Sequence, residues 1–155
     1  MAGTTKSAFF CIALVVVIFM TTNLPKTNAL LLNGLNVNAL DIVGVARCTS
    51  TLTGTCITCA PLSNLRLVVR LNGIQIATVN TGSDGSFRIN INVNNIASAL
   101  TDIAALRVVA PLPIAGCPLF ATATGILQGT PVLQTPTSIV NGVATLIVPV
   151  FNIVP

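Results

Sequence analysis

Residues 65–80 read LRLVVRLNGIQIATVN. Two runs rich in Val, Ile and Leu flank Asn72-Gly73. A two-residue type I′ turn needs positive φ at both central positions, and Asn-Gly tolerates this at the lowest steric cost. The stretch therefore predicts a strand over Leu65–Leu71 and an antiparallel return over Ile74–Asn80. Arg66 and Arg70 fall on one face of the first strand, although Val68 breaks the strict alternation. A turn cluster, Thr81-Gly82-Ser83-Asp84-Gly85, leads into SFRININV at 86–93. There Phe87, Ile89, Ile91 and Val93 alternate with Arg88, Asn90 and Asn92, which is the period of a strand with one face buried.

The same reading extends in both directions. Leu30–Ala39 is Asn-rich and reads as a loose lead-in, and Ile42–Cys48 as a first strand. Thr49–Asn64, with Gly54, two cysteines and Pro61, reads as a loop. Asn94 or Asn95 is placed to cap a helical turn over Ile96–Thr101. Ala105–Ala110 is a further strand, ended by Pro111 and Pro113. Leu119–Thr124 and Ile139–Val148 supply later strands, the second containing another Asn-Gly at 141–142. Val143–Pro155 is apolar but is interrupted by Pro149 and Asn152, so it reads as a buried or edge strand rather than a membrane segment. Short strands, many turns and enrichment in Val, Ile and Thr predict an all-β fold. The expected form is an antiparallel β-sandwich or small barrel of about seven short strands. It is expected as one domain over 41–155, preceded by the lead-in at 30–40.

The first 29 residues stand apart. Met1–Lys6 is polar and basic, Ala8–Met20 is an unbroken apolar run of 13 residues, and Thr27-Asn28-Ala29 places small residues before a cut. That order is a secretory signal peptide, with cleavage after Ala29, or alternatively after Ala39. As a helix the apolar run rises only about 20 Å, short of a hydrocarbon core of about 30 Å. The expected mature chain is Leu30–Pro155, secreted, with no transmembrane segment.

Composition narrows the function. The 155 residues are 53% hydrophobic and 6% charged, against about 25% charged in an average domain. Such a chain is too apolar to be disordered. It carries no basic cluster for nucleic acid. There is no His, Glu, Trp or Tyr, and both lysines, Lys6 and Lys26, precede the expected cut. The expected mature chain has five arginines (47, 66, 70, 88, 107) against three aspartates (41, 84, 102), a net charge of +2. Weak self-repulsion of this kind favours self-association.

Acid–base or nucleophilic chemistry near neutral pH therefore has few side chains to draw on. Asp84 belongs to a turn, and Asp41 and Asp102 stand at the edges of regular segments, where capping accounts for them. No enzyme activity, cofactor or metal is expected. Arg66, Arg70 and Arg88 are candidates for one solvent-facing stripe. Such a stripe serves solubility, or contact with acidic cell-wall polysaccharide or anionic lipid.

Cys11 lies in the expected signal peptide, leaving Cys48, Cys56, Cys59 and Cys117. In a secreted chain these pair as disulfides, and four cysteines allow three pairings. A Cys48–Cys117 bridge closes a loop of about 70 residues, worth roughly 4 kcal/mol by chain entropy, and a Cys56–Cys59 bridge about 2. The Cys56-Ile57-Thr58-Cys59 spacing is also that of a redox dithiol or half a zinc site. It lacks the strand–helix setting of the first and the histidines or nearby cysteines of the second, so a structural loop disulfide is the preferred reading.

The residues beyond the leader resemble the plant phylloplanins, within the wider extracellular family that includes the olive-pollen major allergen and extensin-like proteins. The likeness lies in Ile42–Cys48 (IVGVARC), Pro61–Val69 (PLSNLRLVV), Thr81–Phe87 (TGSDGSF), Leu106–Cys117 and the Pro-rich apolar segment through Phe151 and Pro155. The cysteine that family members carry near Val69, and its partner near Leu106, are both missing. The resemblance implies Cys48–Cys117 as the favoured bridge. It also implies a secreted β-sandwich that defends the plant surface, inhibiting oomycete or fungal spore germination by amphiphilic contact with cuticular wax or microbial surfaces. The alternative it implies is a structural or cell-wall interaction module with no antimicrobial effect.

Overall fold

The structure, a computed structural model, describes residues 30–32, 34–53, 56–96, 100 and 102–155. The signal-peptide expectation for 1–29 lies outside these residues.

The described chain is all-β, with strands and short 3-10 turns only. Strands β1 (Leu30–Leu32) and β2 (Leu35–Val37) form a small hairpin. The segment expected as a loose lead-in thus carries strand, and Val37 and Leu40 are wholly buried in the core. Apolar side chains at these positions gain more from burial than the Asn-rich composition suggests.

Strand β3 (Ala39–Val45) is central to the first large sheet. It begins three residues earlier than expected and ends before Cys48, because Ala46 turns away to bond Gly85 and Leu62. Across the hairpin described above, β4 (Arg66–Leu71) pairs with β5 (Ile74–Asn80). Asn72 and Gly73 at their junction have φ of 51° and 83°, the two positive values a type I′ turn requires. The register shifts between Val69 and Arg70, so a bulge in β5 accompanies the irregular alternation at Val68. Strand β6 (Ser86–Asn92) alternates exposed and buried residues throughout, as its sequence predicts.

After β6 a 3-10 turn at Val93–Asn95 is capped by Asn92, whose side-chain oxygen accepts from the Asn94 amide at 2.9 Å. The capped turn thus starts earlier than expected, and most of the expected helical turn at 96–101 lies outside the described residues. A second 3-10 turn, Ile103–Ala105, is capped by Asp102 and leads into β7 (Leu106–Pro111). The strand expected at Leu119–Thr124 is instead a chain of tight turns. Phe120 N–H donates to Cys117 C=O and Ala123 N–H to Phe120 C=O, which diverts those groups from any ladder. The remaining strands are β8 (Ile126–Gly129), β9 (Val132–Leu133), β10 (Ile139–Val140), β11 (Val143–Ile147) and β12 (Phe151–Val154). Asn141 and Gly142, with φ of 51° and 78°, turn β10 into β11.

Two five-stranded sheets result. The first runs β10-β11-β3-β6, with β9 also on β11; the second runs β12-β8-β7-β4-β5. Among the described residues no sheet closes into a barrel. Twelve strands among the described residues replace the roughly seven expected, because several are only two to four residues long. The sheets are not purely antiparallel either: β11 pairs with β3 in parallel, Ala39 opposite Val143 through Val43 opposite Ile147. A parallel neighbour needs a long crossover, and the roughly one hundred intervening residues provide it.

Both sheets feed one core. Leu40, Ile42, Phe87, Ile89 and Leu146 from the first join Leu67, Val69, Val108, Leu127 and Phe151 from the second. Gly44 sits under the Phe87 ring, where an added Cβ would lie 2.5 Å from its tip. The missing side chain makes room for the aromatic ring across the strand pair.

Candidate functional site

The long loop between β3 and β4 carries Cys48, Cys56 and Cys59. Cys48 and Cys117 are disulfide-bonded with Cα atoms 5.3 Å apart, and Cys56 and Cys59 form a second bridge at 5.4 Å. The first joins loops 69 residues apart in sequence, and Cys117 is fully buried. Arg47 fastens the small loop: its Nη1 donates to the carbonyls of Ile57 at 3.2 Å and Cys59 at 2.9 Å. Thr53 Oγ1 donates to Pro149 C=O at 2.9 Å, and Phe151 N–H to Thr51 C=O at 3.0 Å, tying the same loop to the segment before β12. Leu52 is held at φ 60° with its side chain buried, a conformation that costs about 1–2 kcal/mol and that its core packing offsets. On this braced framework Ile57 is 85% exposed, and Leu119 and Val150 are also exposed.

The three arginines expected to share a stripe do not. Arg66 and Arg70 lie on β4 in the second sheet, whereas Arg88 lies on β6 in the first. Arg88 is engaged with Asp41: Nε donates to Oδ1 at 2.9 Å and Nη2 lies 2.5 Å from Oδ2. The Asp41 side chain is 5% exposed and that of Arg88 74%, so the guanidinium covers a carboxylate otherwise shut in the sheet. Hydrogen bonding to Asp41 raises the Arg88 pKa further above its already high value. Asp41 is therefore no edge cap. It stands in mid-strand, opposite Asn90 and Thr145, a placement that only the register of three strands defines.

Arg107 takes the place expected for Arg88. It sits on β7 directly opposite Arg70 on β4. Sequence reading missed this because the pairing of β4 with β7 is non-local; the alternation of Arg107 with Leu106 and Val108 was the available signal.

The other carboxylates have local partners. Asp84 Oδ1 accepts from Ser86 Oγ at 2.6 Å and Ser86 N–H at 2.9 Å, and these bonds hold its pKa below the usual carboxylate range. Asp102 Oδ1 accepts from the Ala104 amide at 3.0 Å. A cleft of about 400 Å³ between β1, the Ile103–Ala105 turn and β9 is lined by uncharged residues, among them Leu32, Ile103, Pro131 and Leu133. No helix among the described residues is long and apolar enough to cross a membrane.

No family model, curated protein or solved structure matches this chain.

Proposed function

We propose that this chain is a secreted β-sandwich protein of the plant surface. It acts without catalysis, inhibiting oomycete or fungal spore germination through amphiphilic contact with wax or microbial surfaces. The observation that carries the reading is Ile57, 85% exposed at the tip of a disulfide-closed loop. An apolar side chain held out by a covalent loop and an arginine clamp loses little conformational freedom when it meets an apolar surface. The low charge of the chain leaves such contact unopposed by long-range repulsion.

The test applies purified protein to oomycete spores and, in parallel, to wax across ionic strengths. Germination is expected to fall. Wax binding should persist at about 1 M salt, where the Debye length is about 3 Å and surface charge attraction is screened. Ile57→Asp should weaken both. Unaffected germination at every concentration rejects the defence role, and loss of wax binding in salt rejects the amphiphilic mechanism.

A second reading, a cell-wall interaction module, is favoured by a different observation: Arg66 and Arg70 are exposed and make no hydrogen bond or ion pair among the described residues.

A further inference from the structure

The outward side of the second sheet has a composition unlike the rest of the molecule. Val68 and Val109 are buried, at 9% and 3% exposure, yet neither belongs to the core cluster. They lie opposite each other on β4 and β7, on the side of the sheet away from the core. Arg66, Arg70, Gln75, Pro111 and Ile126 line a groove together with them, and long polar side chains lay their stems along such apolar surface. Arg66 and Arg70 flank Val68 on its own strand, and Arg107 flanks Val109. The row through the two valines continues into Thr78 on β5 and into Gln128 and Asn152 on β8 and β12. A groove of about 230 Å³ runs here between Arg66, Arg70, Gln75, Pro111 and Ile126 over the valine floor.

Charge is placed against local stability. Arg70 and Arg107 are directly opposite in an antiparallel ladder, an arrangement that destabilises a sheet when the charges are alike. No aspartate is on this face: Asp41 and Asp84 belong to the first sheet and the turn before it, and Asp102 caps the turn ahead of β7. The Arg107 guanidinium is steadied by the carbonyls of Ala104 and Leu106, whereas those of Arg66 and Arg70 have no partner among the described residues.

We propose that this face binds an acidic polysaccharide, a chain of uronate sugars. The proposal rests on the wall-contact reading and gives it a ligand. Four steps along the strand separate Arg66 from Arg70, about 13 Å between Cα atoms, so the pair suits spaced carboxylates along a repeating polymer better than one small anion. A guanidinium meets a carboxylate through two parallel hydrogen bonds. The interleaved Gln75, Thr78 and Gln128 offer donors and acceptors to sugar hydroxyls. Pro111 and Ile126 give an apolar edge for the C–H face of a sugar ring. A lipid surface fits less well, because the apolar floor is recessed below the arginines and cannot enter a bilayer.

The test titrates the protein with polygalacturonate, with fully methyl-esterified polygalacturonate and with vesicles of anionic and neutral phospholipid. Binding to polygalacturonate at low salt is expected, lost on esterification and in about 1 M salt. Arg70→Gln and Gln128→Glu should each weaken it about tenfold. Gln134→Glu, an equal charge change on an exposed residue beyond β9, should leave it within about twofold. Thermal unfolding of each variant separates lost binding from lost folding. No binding to polygalacturonate, equal weakening by Gln134→Glu, or binding to the anionic vesicles alone each overturns the proposal. None of these outcomes depends on where the protein resides or on spore germination, so the wall reading and its ligand fail separately.

Discussion

The outer faces of the two sheets treat charge in opposite ways. On the first, one carboxylate and one guanidinium are brought together, and Asp41 is sealed beneath Arg88. On the second, three arginines share a face with no acid, two of them directly opposed. The inner faces differ little in kind, since both supply Leu and Phe to one core, joined by Ile from the first and Val from the second. What separates the sheets is therefore how each uses its solvent side: the first closes its electrostatics internally and the second leaves them open.

The strongest way to break this comparison is through the interior. Ile42→Ala on β3 and Leu67→Ala on β4 remove fully buried side chains from opposite sheets, and each should cost about 2–5 kcal/mol in chemical denaturation. A large loss for one and almost none for the other would mean that the sheets do not share a cooperative core.

A smaller effect should come from Arg88→Ala, which strips the partner from a buried carboxylate; a lowered thermal midpoint is expected. Asp41→Asn made together with it should recover part of the loss, because the stranded charge is gone. If the double variant is no better than the single, Asp41 is not held as a charge by this pair.

On the second sheet the sign reverses. Arg70→Gln relieves a like-charge pair and should leave stability unchanged or raise it by up to about 0.5 kcal/mol. A clear destabilisation would show that the arginine stems stabilise the valine floor by more than the charges repel.

The smallest effect is that of pH at the turn before β6. Bonds from Ser86 lower the Asp84 pKa in the folded chain, so its contribution is present above the unfolded value of about 3.9 and is lost as pH falls through the folded one. The stability gap between the native chain and Asp84→Asn should accordingly close below about pH 4. Parallel pH profiles for the two would remove Asp84 from the account.

The parts of the fold legible in sequence are those set by neighbours along the chain. Asn72-Gly73 turns as read, and Asn141-Gly142 turns too, splitting the strand expected over Ile139–Val148, because positive φ is a property of the two residues themselves. The alternation at 86–92 places Phe87, Ile89 and Ile91 inward for the same local reason. The misplaced features all depend on register between distant segments. The parallel β3–β11 ladder, the split of Arg88 from Arg66 and Arg70, and the facing of Arg107 with Arg70 leave no mark within any short window. Leu119–Thr124 failed differently. Its apolar content resembles a strand, but the nearby buried Cys117 and the Phe120 anchor fold it into turns.

The parallel ladder also orders events in time. Strand β3 finds one neighbour, β6, within about fifty residues, but its other neighbour, β11, arrives about a hundred residues later. Closing so long a loop is entropically slow, and contacts of such separation form late in folding. Until then one edge of β3 carries unpaired amides and carbonyls beside Leu40 and Ile42, the kind of edge that recruits strands from other chains. Nascent molecules that have not yet produced residues 143–147 are consequently the ones most exposed to misassociation, and the demand for chaperoning falls in that interval of synthesis.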